Sequence, residues 1–367
     1  MSLHSVVAAF AVTFTLGTAP SFAQAPAAVP AAPAPAASSS QTPVSAPSPL
    51  LPPAAPPAAV DPLPKANPRF FTASSPSIDT VNAFLHQVWG SDPNRLYRVM
   101  AIQPTSAPNI TKVTVFVTER TSNPADSQVK AATFFVTPDG KHAIGEGSVV
   151  VPFGATPFAP VRDLLKERAD GASRGATGKD LELVEFADLQ CPHCRDAQAT
   201  MDQIVQDFPK AHVVFQLFPL VDIHPSAFKA ATYGVCAQQQ SNEAFFKYAA
   251  GVFETQEGLT PATEDTLLKA AALRAGLDGA AIAACASTQA TKDIVNADIK
   301  LAQDAGVDQT PTLSVNGRML PLGGNLPYEQ IKQLIQFQAT LDGVDSGATA
   351  ETLAPKPPKP TLQDLPK

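Results

Sequence analysis

Two cysteines separated by two residues, Cys191-Pro192-His193-Cys194, constrain this chain more than any other feature. The strand-like run Leu181 to Phe186 precedes them and a helical pattern from Pro192 to Phe208 follows. The pair therefore sits where a strand gives way to a helix. Two intervening residues let both sulfurs come within disulfide distance inside one helical turn. Pro192 suits the first helical position, where a missing N–H costs nothing. Cys191 then faces the unpaired N–H groups and the positive dipole end of the helix, and a thiolate is stabilised there. His193 adds a donor, or a positive charge when protonated.

A CxxC can also be half of a zinc site. Zinc would want a second close pair or two further ligands. Cys236 and Cys285 are far apart in sequence, and His212 and His224 do not form a spaced ligand pair. Neither a metal nor another cofactor is expected. Cys236 and Cys285 read as a structural disulfide joining two helices, with a second redox relay pair as the alternative. Thr310-Pro311 precedes a short strand-like run. A cis peptide bond there would set the backbone of Thr310 beside the two sulfurs, where it can pair with an extended substrate; an ordinary trans proline at a strand entrance is the alternative. Glu185, on the strand before the CxxC, is a candidate proton acceptor for Cys194 if burial raises its pKa. A plain structural or exposed carboxylate is the competing reading.

The rest of the chain frames this segment. Of 367 residues, 44% are hydrophobic, enough for an ordinary core, but 37 are proline and only 16% are charged. That excess of proline implies non-globular stretches. Val6 to Leu16 is a short apolar run followed by Ser21-Phe22-Ala23, so residues 1–23 read as a signal peptide, although Met1 to Ser5 carry no Lys or Arg. The run is too short to span a bilayer, and no other segment reads as a transmembrane helix. Residues 24–74, rich in Ala and Pro, read as a disordered linker, and 343–367 as a disordered tail. A net charge of -7 gives no reason to expect a nucleic-acid partner. An even cysteine set containing a CxxC fits an oxidising, exported setting, periplasmic in a bacterium.

Between these tails, residues 75–167 read as a small α+β domain. Ile78, Val81, Leu85 and Val88 give a helix over Pro76 to Trp89. Strand-like runs follow at Arg95 to Ile102, Lys112 to Thr118, Ala131 to Val136 and Ala143 to Val151. It carries no cysteine and no clustered His or carboxylates, which suits a scaffold or dimerisation module. Residues 168–179, rich in Gly, Ser and Ala, read as a flexible junction. Residues 180–342 then give strand, helix, strand, an Ala-rich helical stretch from Ser226 to Ala305, a hairpin about Asn316-Gly317, and a last helix from Tyr328. The fold class is therefore α/β: a thioredoxin-like fold with an inserted helical subdomain.

These residues resemble the DsbA family of thiol–disulfide oxidoreductases over roughly Leu181 to Leu341. The resemblance lies in Glu185-Phe186 before Cys191-Pro192-His193-Cys194, in Phe218-Pro219-Leu220 and His224-Pro225, and in Thr310-Pro311-Thr312 with Val315-Asn316-Gly317. The stretch Ala230 to Ala237 around Cys236 resembles the variant with a disulfide in its helical insert. By this likeness Cys191 is the nucleophile, Cys194 the resolving thiol and Pro311 the cis proline. Thr310 before the proline is similar to the DsbC- and DsbG-type isomerases as well. Phe134 to Lys141 resembles one hairpin of their dimerisation domain.

Three functions follow as expectations. The first is an oxidase that introduces disulfides into cysteine-containing exported proteins and is reoxidised by a membrane redox partner. A thiol whose pKa is lowered by about five units favours its reduced form by roughly 7 kcal/mol, about 150 mV, and so gives its disulfide away. The second is a disulfide isomerase or reductase with chaperone behaviour, a homodimer through residues 75–167. The third is a non-catalytic binding scaffold, against which the retention of both active-site cysteines speaks.

Overall fold

Ser77 begins the ordered helical pattern: its hydroxyl accepts the Thr80 N–H at 3.1 Å and caps α1 (Ile78–Trp89). Val81, Phe84 and Leu85 fall on one face at helical spacing and are buried. They pack on one side of an antiparallel meander, β1 (Arg95–Pro104), β2 (Thr111–Glu119), β3 (Lys130–Val136), β4 (His142–Ile144) and β5 (Val150–Pro152), in that spatial order. Val99, Ile102, Val113, Val115, Phe134 and Val136 supply the sheet's half of this core. The run Ala143 to Val151, read from sequence as one strand, is two. Gly147 takes a φ of +72° in the turn between them and lets the chain fold back. The computed structural model describes residues 62–120, 128–323 and 326–348. The leader at 1–23, most of the linker and the end of the tail lie outside these.

The second sheet holds the CxxC. Its order is β10 (Arg318–Pro321), β9 (Thr312–Val315), β7 (Glu182–Ala187), β8 (His212–Leu217), β6 (Ala172–Gly175). β7 runs parallel to β8, while β9 and β6 run antiparallel to their neighbours. Every residue of the central β7 is buried, as a strand covered on both faces requires. The helix after it, α3 (Pro192–Asp207), buries Cys194, Ala197, Met201 and Ile204. α9 (Tyr328–Leu341) adds Ile331 and Ile335 to the core formed with Leu183, Leu313 and Val315. This is the thioredoxin-like arrangement expected from sequence. Between β8 and β9 lies the helical insert: α4 (Ala227–Gln238), α5 (Asn242–Thr255), α6 (Glu264–Arg274), α7 (Gly279–Ala286) and α8 (Gln289–Asp304). A disulfide between Cys236 of α4 and Cys285 of α7 staples it.

The boundaries differ from the sequence expectation in three places. Residues 168–179 are not a flexible junction, because β6 pairs residue by residue with β8, from Ala172 with Phe215 to Gly175 with His212. Just before it, α2 (Ala159–Arg168) buries Leu165 against Val184, Phe186 and Val214, so this helix belongs to the second core although it falls within 75–167. The ends of the presumed linker and tail are also held. Leu63 is buried and the Arg98 guanidinium donates to the Leu63 and Pro64 carbonyls at 2.7 and 2.9 Å. Ser346 is buried, donating to Gln336 Oε1 at 2.8 Å. Composition marked both segments as disordered, but anchoring contacts of this kind leave no compositional trace.

The two sheets' layers are tied together by Arg318. Its Nε donates to Gln338 Oε1 at 2.9 Å, another guanidinium nitrogen donates to the Gln87 carbonyl of α1, and the plane lies 4.2 Å over the Phe158 ring. Closing a loop of 49 residues by the Cys236–Cys285 bond stabilises the insert by roughly 3–4 kcal/mol in the chain-entropy account. A Cys236→Ala/Cys285→Ala double variant should lose about that much in urea unfolding. An unchanged midpoint would mean the insert does not need its staple.

Candidate functional site

Cys191 occupies the N-cap of α3, with extended backbone (φ -78°, ψ 123°), and Pro192 is the first helical residue. Both sulfurs are sheltered: Cys191 is 4% exposed and Cys194 is fully buried. The structure holds them as free thiols. Thr310-Pro311 is a cis peptide, and the Thr310 carbonyl lies 3.7 Å from Cys191 Sγ. The residues singled out from sequence thus meet at one place, where β7, the start of α3 and the entrance to β9 converge.

The two sulfurs differ sharply. Cys191 is pulled from 9.0 down to about 5. The largest cause is the Cys194 thiol, which donates to its sulfur. The backbone N–H groups of Cys194 and His193 at the helix entrance act in the same direction, as does Thr310, and together they outweigh burial. His193 itself is exposed and contributes here through its main chain. Cys194 is pushed far up, first by burial and then by its role as donor to a neighbouring anion. One thiol is therefore an ionised nucleophile near neutral pH while the other keeps its proton.

Glu185 is buried beneath this pair, at 1% exposure, and burial raises its carboxyl from 4.5 to about 7 despite the opposing field of Arg174. Gln198, one turn beyond Cys194 on α3, spans the gap: its side-chain amide donates to Glu185 Oε1 at 2.8 Å and to the Cys194 carbonyl at 3.0 Å. The carboxylate expected to take the proton of Cys194 is thus connected to that residue's main chain through an amide. A carboxyl poised near 7 can both hold and release a proton at working pH.

Four polar side chains that sequence reasoning did not assign to the site complete its surroundings. Gln256, buried in the turn after α5, donates to the Leu189 and Cys191 carbonyls at 3.3 and 3.2 Å. Gln190 donates to the Leu259 carbonyl at 2.9 Å and accepts the Ser226 N–H at 2.8 Å. Asp188 and His224 pair at 2.7 Å. The insert, remote in sequence, therefore grips the loop carrying Cys191. A short-range signal existed for Asp188 alone, an Asp three residues before the CxxC in a strand-to-helix loop.

The sequence pattern of the thioredoxin family matches residues 169–337. The chain is 31% identical over 145 residues to an Na(+)/H(+) antiporter of Salinispora tropica, covering 40% of this chain, and 30% identical over 164 residues to one of Mycolicibacterium vanbaalenii, covering 44%. These matches span 21% and 24% of those proteins' own length. Among the described residues no helix is long and apolar enough to cross a membrane. Similar solved structures include a thioredoxin-like oxidoreductase of Silicibacter pomeroyi (23% identity, 48% of this chain and 95% of that one, TM-score 0.41). BdbD of Bacillus subtilis (20%, 48% and 95%, TM-score 0.42) and ScsC of Proteus mirabilis (21%, 51% and 78%, TM-score 0.42) are others.

Two measurements check the site. Absorbance of the reduced protein at 240 nm, followed against pH, should show one thiolate forming with a midpoint near 5, and Cys191→Ser should abolish that step. Glu185 has a folded pKa above its unfolded value, so its burial costs nothing below about 4.5 and the full amount above about 7. Glu185→Gln should therefore stabilise the protein by about 3 kcal/mol at pH 8 to 9, with the gain vanishing near pH 4.5. A gain independent of pH would place the charge elsewhere.

Proposed function

We propose that this DsbA-like thiol–disulfide oxidoreductase, a thioredoxin-family domain over residues 169–337, is an exported oxidase. It gives the Cys191–Cys194 disulfide to cysteine-containing exported proteins, and a membrane redox partner restores it. The observation that carries this reading is the contrast between the sulfurs: Cys191 is lowered to about 5 while Cys194 is raised. A fold that stabilises the Cys191 thiolate stabilises its own reduced form, and a disulfide whose reduced form is favoured is an oxidant.

The exchange balances as follows. A substrate thiolate attacks Cys191 Sγ; the Cys191–Cys194 bond breaks and a substrate–Cys191 mixed disulfide forms. The bonding pair goes to Cys194 Sγ, which takes up a proton because its buried site disfavours the anion. In this reading Glu185, raised to about 7, is the proton source, and Gln198 donates both to its carboxylate and to the Cys194 main-chain carbonyl. A second substrate thiolate then attacks the substrate sulfur of the mixed disulfide and expels Cys191 as its stable thiolate. Two electrons have passed from substrate to protein, and the substrate leaves with a disulfide. The Thr310 carbonyl, beside Cys191 Sγ, is placed to accept a main-chain N–H from an extended substrate.

The same groups run in reverse for an isomerase or reductase, homodimeric through residues 75–167. Thr310 before Pro311 is the observation that favours this second reading. The resting state separates the two. Alkylation trapping in the cell should find Cys191 and Cys194 oxidised if the protein is an oxidase; a reduced pair would establish the isomerase direction. A Cys194→Ser variant should accumulate substrates as mixed disulfides on Cys191, and Cys191→Ser should fall to the uncatalysed rate. Full activity in Cys191→Ser would leave only a binding scaffold.

A further inference from the structure

Asp188 is fully buried in the loop between β7 and α3, where an isolated carboxylate would be costly. Three donors hold it. The Gln190 N–H reaches Oδ1 at 2.7 Å, and Oδ2 accepts from the Leu220 N–H at 2.8 Å and from His224 Nδ1 at 2.7 Å. Leu220 and His224 come from the segment between β8 and α4, whose own turn is closed by the His224 N–H donating to the Leu220 carbonyl at 2.9 Å. The carboxylate thus ties one loop to another. The backbone N–H of the same residue donates to Cys194 Sγ at 3.3 Å.

From this geometry we infer that the Asp188–His224 pair is a positioning device for the resolving sulfur. It fixes the main chain at Asp188 so that its N–H stays aimed at Cys194. This rests on the oxidoreductase reading above, and neither side chain of the pair touches the reacting atoms. Two moments of the exchange depend on that N–H. When the Cys191–Cys194 bond breaks, the electron pair arrives on Cys194 Sγ in a site where burial opposes charge, and the donor is already in place. In the reduced protein the same donor polarises the Cys194 thiol, which in turn donates to the Cys191 thiolate. Losing it weakens the chain of donors at both sulfurs and leaves the reduced form less favoured.

The test compares His224→Leu, which removes the donor to Asp188, with His224→Asn, whose amide can place an N–H where Nδ1 lies. Each is equilibrated with reduced and oxidised glutathione, and the Cys191 thiolate is followed at 240 nm against pH. His224→Leu should lower the equilibrium constant for oxidising glutathione by about tenfold, the size expected for one hydrogen bond to a charged sulfur, and should move the thiolate midpoint upward. His224→Asn should restore both to within about threefold of wild type. If His224→Leu fails to fold, Asp188→Asn is read in the same way and should shift both in the same direction. A folded His224→Leu or Asp188→Asn with the wild-type glutathione constant and midpoint overturns the inference. Failure of the underlying reading looks different: the wild-type protein itself would not oxidise a dithiol peptide.

Discussion

A single sulfur anion on a residue only 4% exposed is the constraint that the surrounding structure serves. Burial alone would raise the pKa of Cys191, so its ionisation must be supplied by donors fixed in space. They are the Cys194 thiol and the first N–H groups of α3, with Thr310 alongside. All of them come from covalent neighbours or from the entrance to β9, a strand paired with β7 itself. Sheet register, helix start and proline turn thus converge on one atom. Loosening any of them would cost the site its asymmetry before it cost the protein its fold.

The insert contributes to the same end from the other side. A CxxC loop is short, and its buried main-chain carbonyls need donors from outside it. Gln256 satisfies those of Leu189 and Cys191, and Gln190 reaches across to Leu259 and Ser226. The disulfide between Cys236 and Cys285 joins α4, whose N-cap is Ser226, to α7. A buried amide that bridges two carbonyls holds geometry without adding charge, which suits a site whose chemistry depends on a single anion. The first sheet stands apart from this network. Its layer meets the second at the end of α1, where the Gln87 carbonyl accepts from Arg318 and His86 packs edge-on against Phe337.

Much of this was legible in the chain because it is local. The strand, CxxC and helix announce themselves through periodicity and through Pro192 after Cys191. The hairpin shows in Asn316-Gly317, where both residues take positive φ. What stayed hidden depends on distance in sequence. β6 is four residues of Ala, Ser, Arg and Gly, a composition that reads as a linker until β8 is there to pair with it. α2 reads as part of the first domain because its apolar partners, such as Val184 and Leu301, lie far along the chain. Asp188 and His224, 36 residues apart, carry no shared pattern, and a loop carboxylate is more often a turn residue than a buried anchor. Glu185 stood out by its place on the strand before the CxxC, but whether it was buried or exposed could not be read there; its burial and the Gln198 bridge to the Cys194 main chain exist only in the fold.

The central claim, that folding stabilises the Cys191 thiolate, has a thermodynamic signature. A thiol whose folded pKa is depressed contributes stability that is complete above its unfolded pKa, near 9, and disappears as pH falls through about 5. The oxidised protein has no such group. Urea unfolding of the reduced and oxidised forms across pH 4 to 9 measures it directly. The account predicts that the reduced form gains stability relative to the oxidised form as pH rises from 5 toward 9. A difference between the two forms that does not change with pH would contradict it.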